Sequence, residues 1–227
     1  MSESQFEPLP TEEHHEGGFR PARSRSLDRT PDISRGGPHY GEFIEQIRGL
    51  MDRVRLASPS DDVALETITT LKELNGLLDT VLVDEWSVPT WVRPDVPANG
   101  NITLPPFVVD RSDRDGVSAR ITFRRFHLGG NSAVHGGHIA LAFDTVLGMS
   151  GVAYSGAAIR TASLTVDYRS ITPLDTELTT LWFTVGSVRG RRLRWHQRCP
   201  RRRREPRECG PETMVYLGTP PINEDRW

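Results

Sequence analysis

Between Tyr40 and Arg55, the apolar residues Phe43, Ile47, Leu50, Met51 and Val54 recur at three- and four-residue spacing, which predicts a helix. A second helix is expected to start near Ser58-Pro59-Ser60-Asp61-Asp62. There Ser58 suits the cap, Pro59 the first helical position, and the aspartates complement the helix dipole. Its stripe of Leu71, Leu74, Leu78 and Val81 predicts packing against a sheet or partner. A membrane-surface role fits poorly, because Lys72 is its only basic residue. Residues 86–106 hold five prolines and an Asn-Gly pair, so an extended linker is expected, with Trp86 and Trp91 covering apolar surface.

The period then changes to two. Val117, Ala119, Ile121 and Phe123 alternate with Ser118, Arg120, Thr122 and Arg124, the pattern of a strand with one buried face. After His135-Gly136-Gly137 comes a helix with Ile139, Leu141, Phe143, Val146 and Leu147 on several faces, hence largely enclosed. Ala140, Ala142, Gly148 and Gly151 let it approach a curved sheet. Leu164, Val166 and Tyr168 write a further strand, and another runs near Glu177 to Val185 after the Thr172-Pro173-Leu174-Asp175 turn. Strand, buried helix and strands together predict an α+β fold with a sheet wrapped around one central helix.

Composition adds limits. A chain of 227 residues can bury a substantial core and is expected to form one domain with extensions. Its net charge of −2 gives no global attraction to nucleic acid or anionic membrane. Residues 1–38 are polar, with few apolar groups, and are expected to form a flexible tail. No basic-then-apolar leader opens the sequence and no apolar run is long enough for a membrane span, so a soluble, cytoplasmic protein is expected. Cys199 and Cys209 show no CxxC spacing and are read as free thiols.

The candidate chemistry lies in Asn131-Ser-Ala-Val-His135-Gly136-Gly137-His138-Ile-Ala-Leu-Ala-Phe-Asp144. The first amides of a helix lack intrahelical acceptors and, reinforced by the dipole, can polarise a substrate carbonyl. Asp144 stands two turns further in and is the only acidic residue between Gly116 and Asp167. The combination reads as an ester or thioester hydrolysis site.

His135-Gly136-Gly137 with Asp144 and Gly148-Met149, followed by Thr161-Ala-Ser-Leu-Thr-Val-Asp-Tyr168-Arg-Ser-Ile-Thr-Pro173-Leu174, resembles the hotdog-fold acyl-CoA thioesterases. The similarity is to the branch with the phenylacetate-type and human thioesterase-superfamily enzymes, and spans about Val117 to Val185. It implies an acyl-CoA substrate, a role in lipid metabolism, a homodimer or homotetramer with sites between subunits, and no metal or redox cofactor. Asp144 then becomes the catalytic carboxylate, acting as general base or as nucleophile, against the plain alternative of a solvated helical aspartate. Gly136, with Gly137 beside it, offers backbone amides to the thioester oxygen, although both glycines also permit a tight turn. His135 orients the loop or contacts the carbonyl region. Asn131 is a candidate to bind the water or carbonyl, with loop capping as its alternative. Thr161 is a candidate to position water from the opposite subunit, or is an ordinary strand threonine.

The implied organisation is a tail over 1–38, a helical extension and linker over 39–100, a hotdog domain over 101–188 and a divergent Arg/Pro-rich segment over 189–227. Arg189 to Arg207 contains ten arginines and one acidic residue, Glu205. The sequence there predicts neither of the two long strands that a hotdog sheet needs, except a short one at Thr213-Met-Val-Tyr-Leu217, as a frameshift in a GC-rich gene would write. The competing reading is therefore a non-catalytic acyl-CoA-binding or inactive hotdog protein with a disrupted C-terminal sheet. An RNA-binding tail is disfavoured, because no aromatic platform accompanies the arginines.

Overall fold

The computed structural model describes residues 29–113, 116–155, 160–164, 166, 168, 170–183, 192–198 and 213–218. Both cysteines, the first 28 residues and part of the arginine run lie outside them. Helices α1 (Tyr40–Leu56) and α2 (Asp61–Asp79) come first, followed by 3₁₀ turns at Pro89–Trp91 and Pro97–Gly100. Strands β1 (Phe107–Asp113) and β2 (Gly116–Thr122) lead through a 3₁₀ turn at Arg125–His127 to a short hairpin, β3 (Leu128–Gly130) and β4 (Ala133–Val134). Helix α3 (Gly136–Ser155), β5 (Arg160–Leu164), β6 (Glu177–Phe183), β7 (Arg192–Arg198) and β8 (Thr213–Gly218) complete the described order.

Six strands form one antiparallel sheet in the order β1-β2-β6-β7-β8-β5. Helix α3 packs on β1, β2, β5 and β8. The period-two reading of β2 holds: Val117, Ala119 and Ile121 are buried, together with Phe123 just beyond the strand. These side chains meet Phe107 and Val109 from β1 and Ala142, Val146 and Leu147 from α3 in a single core. Such burial contributes roughly 25 cal/mol per Å² of apolar surface and is what fixes α3 against the sheet.

The structure differs from the sequence reading in several places. Helix α2 begins at Asp61 with Ser60 in the cap position, not at Ser58-Pro59, and Ser60 makes no side-chain capping bond. It has no fully buried residue: of the predicted stripe, Leu71, Leu74 and Leu78 are half-buried and Val81 is exposed, as are Val63, Leu65, Ile68 and Leu77 off the stripe, and among the described residues none of them joins the core cluster. Strand β1 went unpredicted because Val108-Val109-Asp110-Arg111 breaks the alternation, and the register shifts between Val109 and Arg111. Residues 192–198, expected to lack regular structure, form β7 between β6 and β8. Ladder pairing on both sides, rather than local hydrophobicity, makes that strand.

Residues 29–38 are not a free tail: the Asp32 N–H donates to the Val92 carbonyl at 2.9 Å, and Arg35 Nη1 to the Trp86 carbonyl at 2.8 Å. Arg93, 2 % exposed, organises this corner. It pairs with Asp95, donates to the Gly37 carbonyl at 2.8 Å, and places its guanidinium 5.1 Å from the Tyr40 ring centroid. The proline-rich 86–106 segment is folded rather than extended, with Val92, Val96 and Ala98 buried. Trp86 and Trp91 stack on each other with centroids 5.9 Å apart. Helix α1 is joined to the sheet region through Asp52, whose Oδ1 accepts from the Phe126 N–H at 3.1 Å and whose Oδ2 accepts from Arg124 Nε at 2.8 Å.

Candidate active site at the start of the central helix

The loop entering α3 is set by its backbone. Asn131 and Ser132 have φ of 48° and 58°, and positive values at both central positions suit a two-residue β3–β4 hairpin turn. Asn131 is therefore exposed at the hairpin tip, and among the described residues no hydrogen bond joins it to His135, Gly136 or Asp144. The Val134 N–H donates to the Thr172 carbonyl at 3.0 Å, and the His135 N–H to the His127 carbonyl at 2.9 Å. Gly129 makes this crossing possible, because a Cβ there would stand 2.7 Å from His135 Cα.

His127, absent from the sequence-based candidates, is the buried anchor of that loop, with 0 % exposure. Its Nδ1 accepts the Arg124 N–H at 2.8 Å and lies 3.2 Å from the Arg124 carbonyl oxygen, and among the described residues Nε2 has no partner. Phe126, His138 and Phe123 crowd the ring, with centroids at 3.8, 4.7 and 5.6 Å. Burial, then the neighbouring His138, pushes its pKa down to about 4. His138 is also held below the ordinary histidine value, by burial and then by His135. No spacing or motif marked His127; its only signal was a polar ring lodged between Phe126 and Leu128.

At the helix start the amides are not equivalent. The Gly137 N–H donates to His135 Nδ1 at 3.0 Å, and the His138 N–H to the His135 carbonyl at 3.0 Å. Among the described residues nothing accepts the Gly136 N–H, which leaves it open to a ligand. With Nδ1 engaged as acceptor, a neutral His135 carries its hydrogen on Nε2, and the residue is exposed. Tyr168 lies against the same glycine: its Oη donates to the Gly136 carbonyl at 2.9 Å.

Asp144 is half-buried on α3, and among the described residues no hydrogen bond or ion pair reaches its carboxylate. Eight residues separate it from Gly136, about 12 Å along a helix axis. A carbonyl and its attacking group stand about 3 Å apart in a productive complex, a much shorter distance than this rise. Thr161 is exposed on β5, which is an edge of the sheet. The structure thus brings His135, Gly136, Gly137 and Tyr168 together, with Asp144 two turns away and Thr161 and Asn131 bonded to none of them. Among the described residues no three His, Cys, Asp or Glu side chains form a metal-ligand group, and no helix is long and apolar enough to cross a membrane.

No family model and no curated protein sequence matches the chain. Solved structures do. A thioesterase-superfamily protein known as a crystal structure superposes with a TM-score of 0.61 at 23 % identity, covering 83 % of this chain and 91 % of that one. Residues 101–227 alone are too few for that coverage, so the match takes in part of the preceding helical region. A hypothetical thioesterase from Streptococcus pneumoniae, crystallised with coenzyme A, matches at 15 % identity and a TM-score of 0.42 over 49 % of this chain and 86 % of that one. The E. coli PaaI protein, from the phenylacetic acid degradation operon, matches at 14 % and 0.40 over 49 % and 79 %.

Proposed function

We propose that this chain, which has the hotdog fold of the thioesterase-superfamily proteins, is an acyl-CoA thioesterase that hydrolyses its substrate to free acid and CoA. The observation that carries the reading is one central helix bearing both a Gly136 N–H at its positive end and a half-buried Asp144 carboxylate, neither with a hydrogen-bond or ion-pair partner among the described residues. The Gly136 N–H donates to the thioester oxygen as negative charge grows there, and one such donor is worth about 3 kcal/mol in the transition state. Asp144 either takes a proton from the attacking water or attacks the carbonyl itself, giving an anhydride that water then opens. In both routes CoA leaves as the thiolate and is protonated from solvent. His135 holds the loop through Nδ1 and turns an Nε2–H donor toward the carbonyl region. Thr161 positions the water.

The helix spacing argues for a composite site, in which Gly136 of one copy works with the aspartate of a second. A two-fold dimer supplies two such sites. These groups need neither metal nor redox cofactor for thioester hydrolysis. The test is free-thiol release from acyl-CoAs of graded chain length by the purified protein and by Asp144→Asn. The variant is expected to fold normally and lose about 10²- to 10⁴-fold in kcat, the range for a positioned acid–base group. Unchanged turnover by Asp144→Asn would remove Asp144 from the mechanism, and absence of thiol release by the parent protein would remove the activity.

A further inference from the structure

We infer that Tyr168 is a positioning residue for this site: its hydroxyl and His135 Nδ1 clamp the two ends of one peptide group, and that clamp aims the neighbouring Gly136 N–H. The inference rests on the thioesterase reading for its kinetic consequence, but the clamp itself is a matter of geometry. Tyr168 Oη donates to the Gly136 carbonyl at 2.9 Å, and the Gly137 N–H donates to His135 Nδ1 at 3.0 Å. That C=O and that N–H belong to the same planar unit, which has no soft torsion of its own. Held at both ends, the plane can neither rotate nor tip.

The freedom that needs restraint lies at Gly136. Its Cα joins the clamped plane to the preceding one, which carries the open N–H, and glycine tolerates more φ/ψ combinations than any other residue. An unrestrained glycine at the first turn lets that N–H wander over directions that miss a developing oxyanion. Tyr168 also closes the space beside it: a Cβ on Gly136 would sit 3.2 Å from the ring carbons Cε1 and Cζ and 3.3 Å from Oη. The ring therefore occupies the volume that a side chain would take, and it is 57 % exposed, which leaves it free to line a channel. Between the two glycine amides, the clamp assigns the donor role to Gly136, because the Gly137 N–H is already engaged.

The experiment is Tyr168→Phe, which keeps the ring and removes only the donor. Expected are a kcat about tenfold lower, a KM within about twofold of the parent with the same acyl-CoA, an unchanged melting temperature, and faster amide hydrogen exchange at Gly137 than in the parent. A donor that acts only in the transition state moves kcat and not KM, and a merely structural tyrosine does not produce that split. The inference is overturned by parental kcat in Tyr168→Phe, by unchanged exchange at Gly137, or by exchange that accelerates evenly along α3. If the parent protein releases no thiol, the thioesterase reading falls, while the Gly137 exchange measurement still decides the clamp.

Discussion

At His127, burial favours the neutral ring. The folded pKa of about 4 lies below the ordinary value of 6.5. Between those two values the unfolded chain binds a proton that the folded chain refuses. The stability contribution is therefore complete above pH 6.5 and is lost as pH falls toward 4, amounting to about 3 kcal/mol over the interval. Around the ring, His138 and the Arg124 charge reinforce the shift, while the hydrogen bond with the Arg124 backbone and the Asp52 charge oppose it. His127→Asn retains an acceptor for the Arg124 N–H and cannot titrate. Urea unfolding at pH 7 and pH 4.5 is expected to show a steeper loss for the parent than for this variant, and parallel losses would refute the account. At this scale the sequence was legible only where residue types carry a spacing. Gly136 and Asp144 stood out as a glycine-led helix with a lone carboxylate. His127 did not, and Tyr168 did so only as a strand and motif residue, because each acts through a partner remote in sequence or through a backbone atom that no side-chain pattern records.

The helices show how far periodicity reaches. Both α2 and α3 have apolar residues at helical spacing, yet only α3 is enclosed. Leu147 on α3 is 1 % exposed, while Leu65 on α2 is 64 % exposed. Leu147→Ala is expected to cost 2–5 kcal/mol by leaving a cavity in the core. Leu65→Ala should stay within about 0.5 kcal/mol, as surface changes do. Chemical denaturation of the two variants checks the contrast, and a large loss from Leu65→Ala would mean that α2 packs against something in solution. An apolar stripe states that one face of a helix is water-averse, but not what lies across from it. Strands show the converse. The lack of clear alternation around β7, with Pro200 and Pro206 following, argued against a strand, whereas its β6 and β8 neighbours supply the ladder that makes one.

For the whole molecule, the 12 Å or so between Gly136 and Asp144 along α3 turns the composite site into a genetic test. In a co-expressed pair, one copy carries Asp144→Asn and the other Gly136→Pro, which removes the N–H at the first helical position but presses its ring on Tyr168, so the folding of that copy is checked separately. If each site joins the glycine of one copy to the aspartate of the other, a mixed dimer regains one intact site of two. Random pairing then restores about a quarter of parental thiol release, whereas sites contained within single chains restore none. The sequence by itself determined the central helix with its glycine-led start and single carboxylate, the alternating β2 strand and the resemblance that ties them to thioester chemistry. These are local facts, written in spacing over one or two turns. Only the tertiary structure decided that the Gly137 N–H is engaged by His135, that the His127 carbonyl and the Tyr168 hydroxyl bond the loop and the helix start, that α2 adds no residue to the core cluster, and that β7 and β8 join the sheet. Each of those depends on which distant backbone or ring fills the space beside a residue, and contacts between residues tens of positions apart leave no periodic trace in the chain.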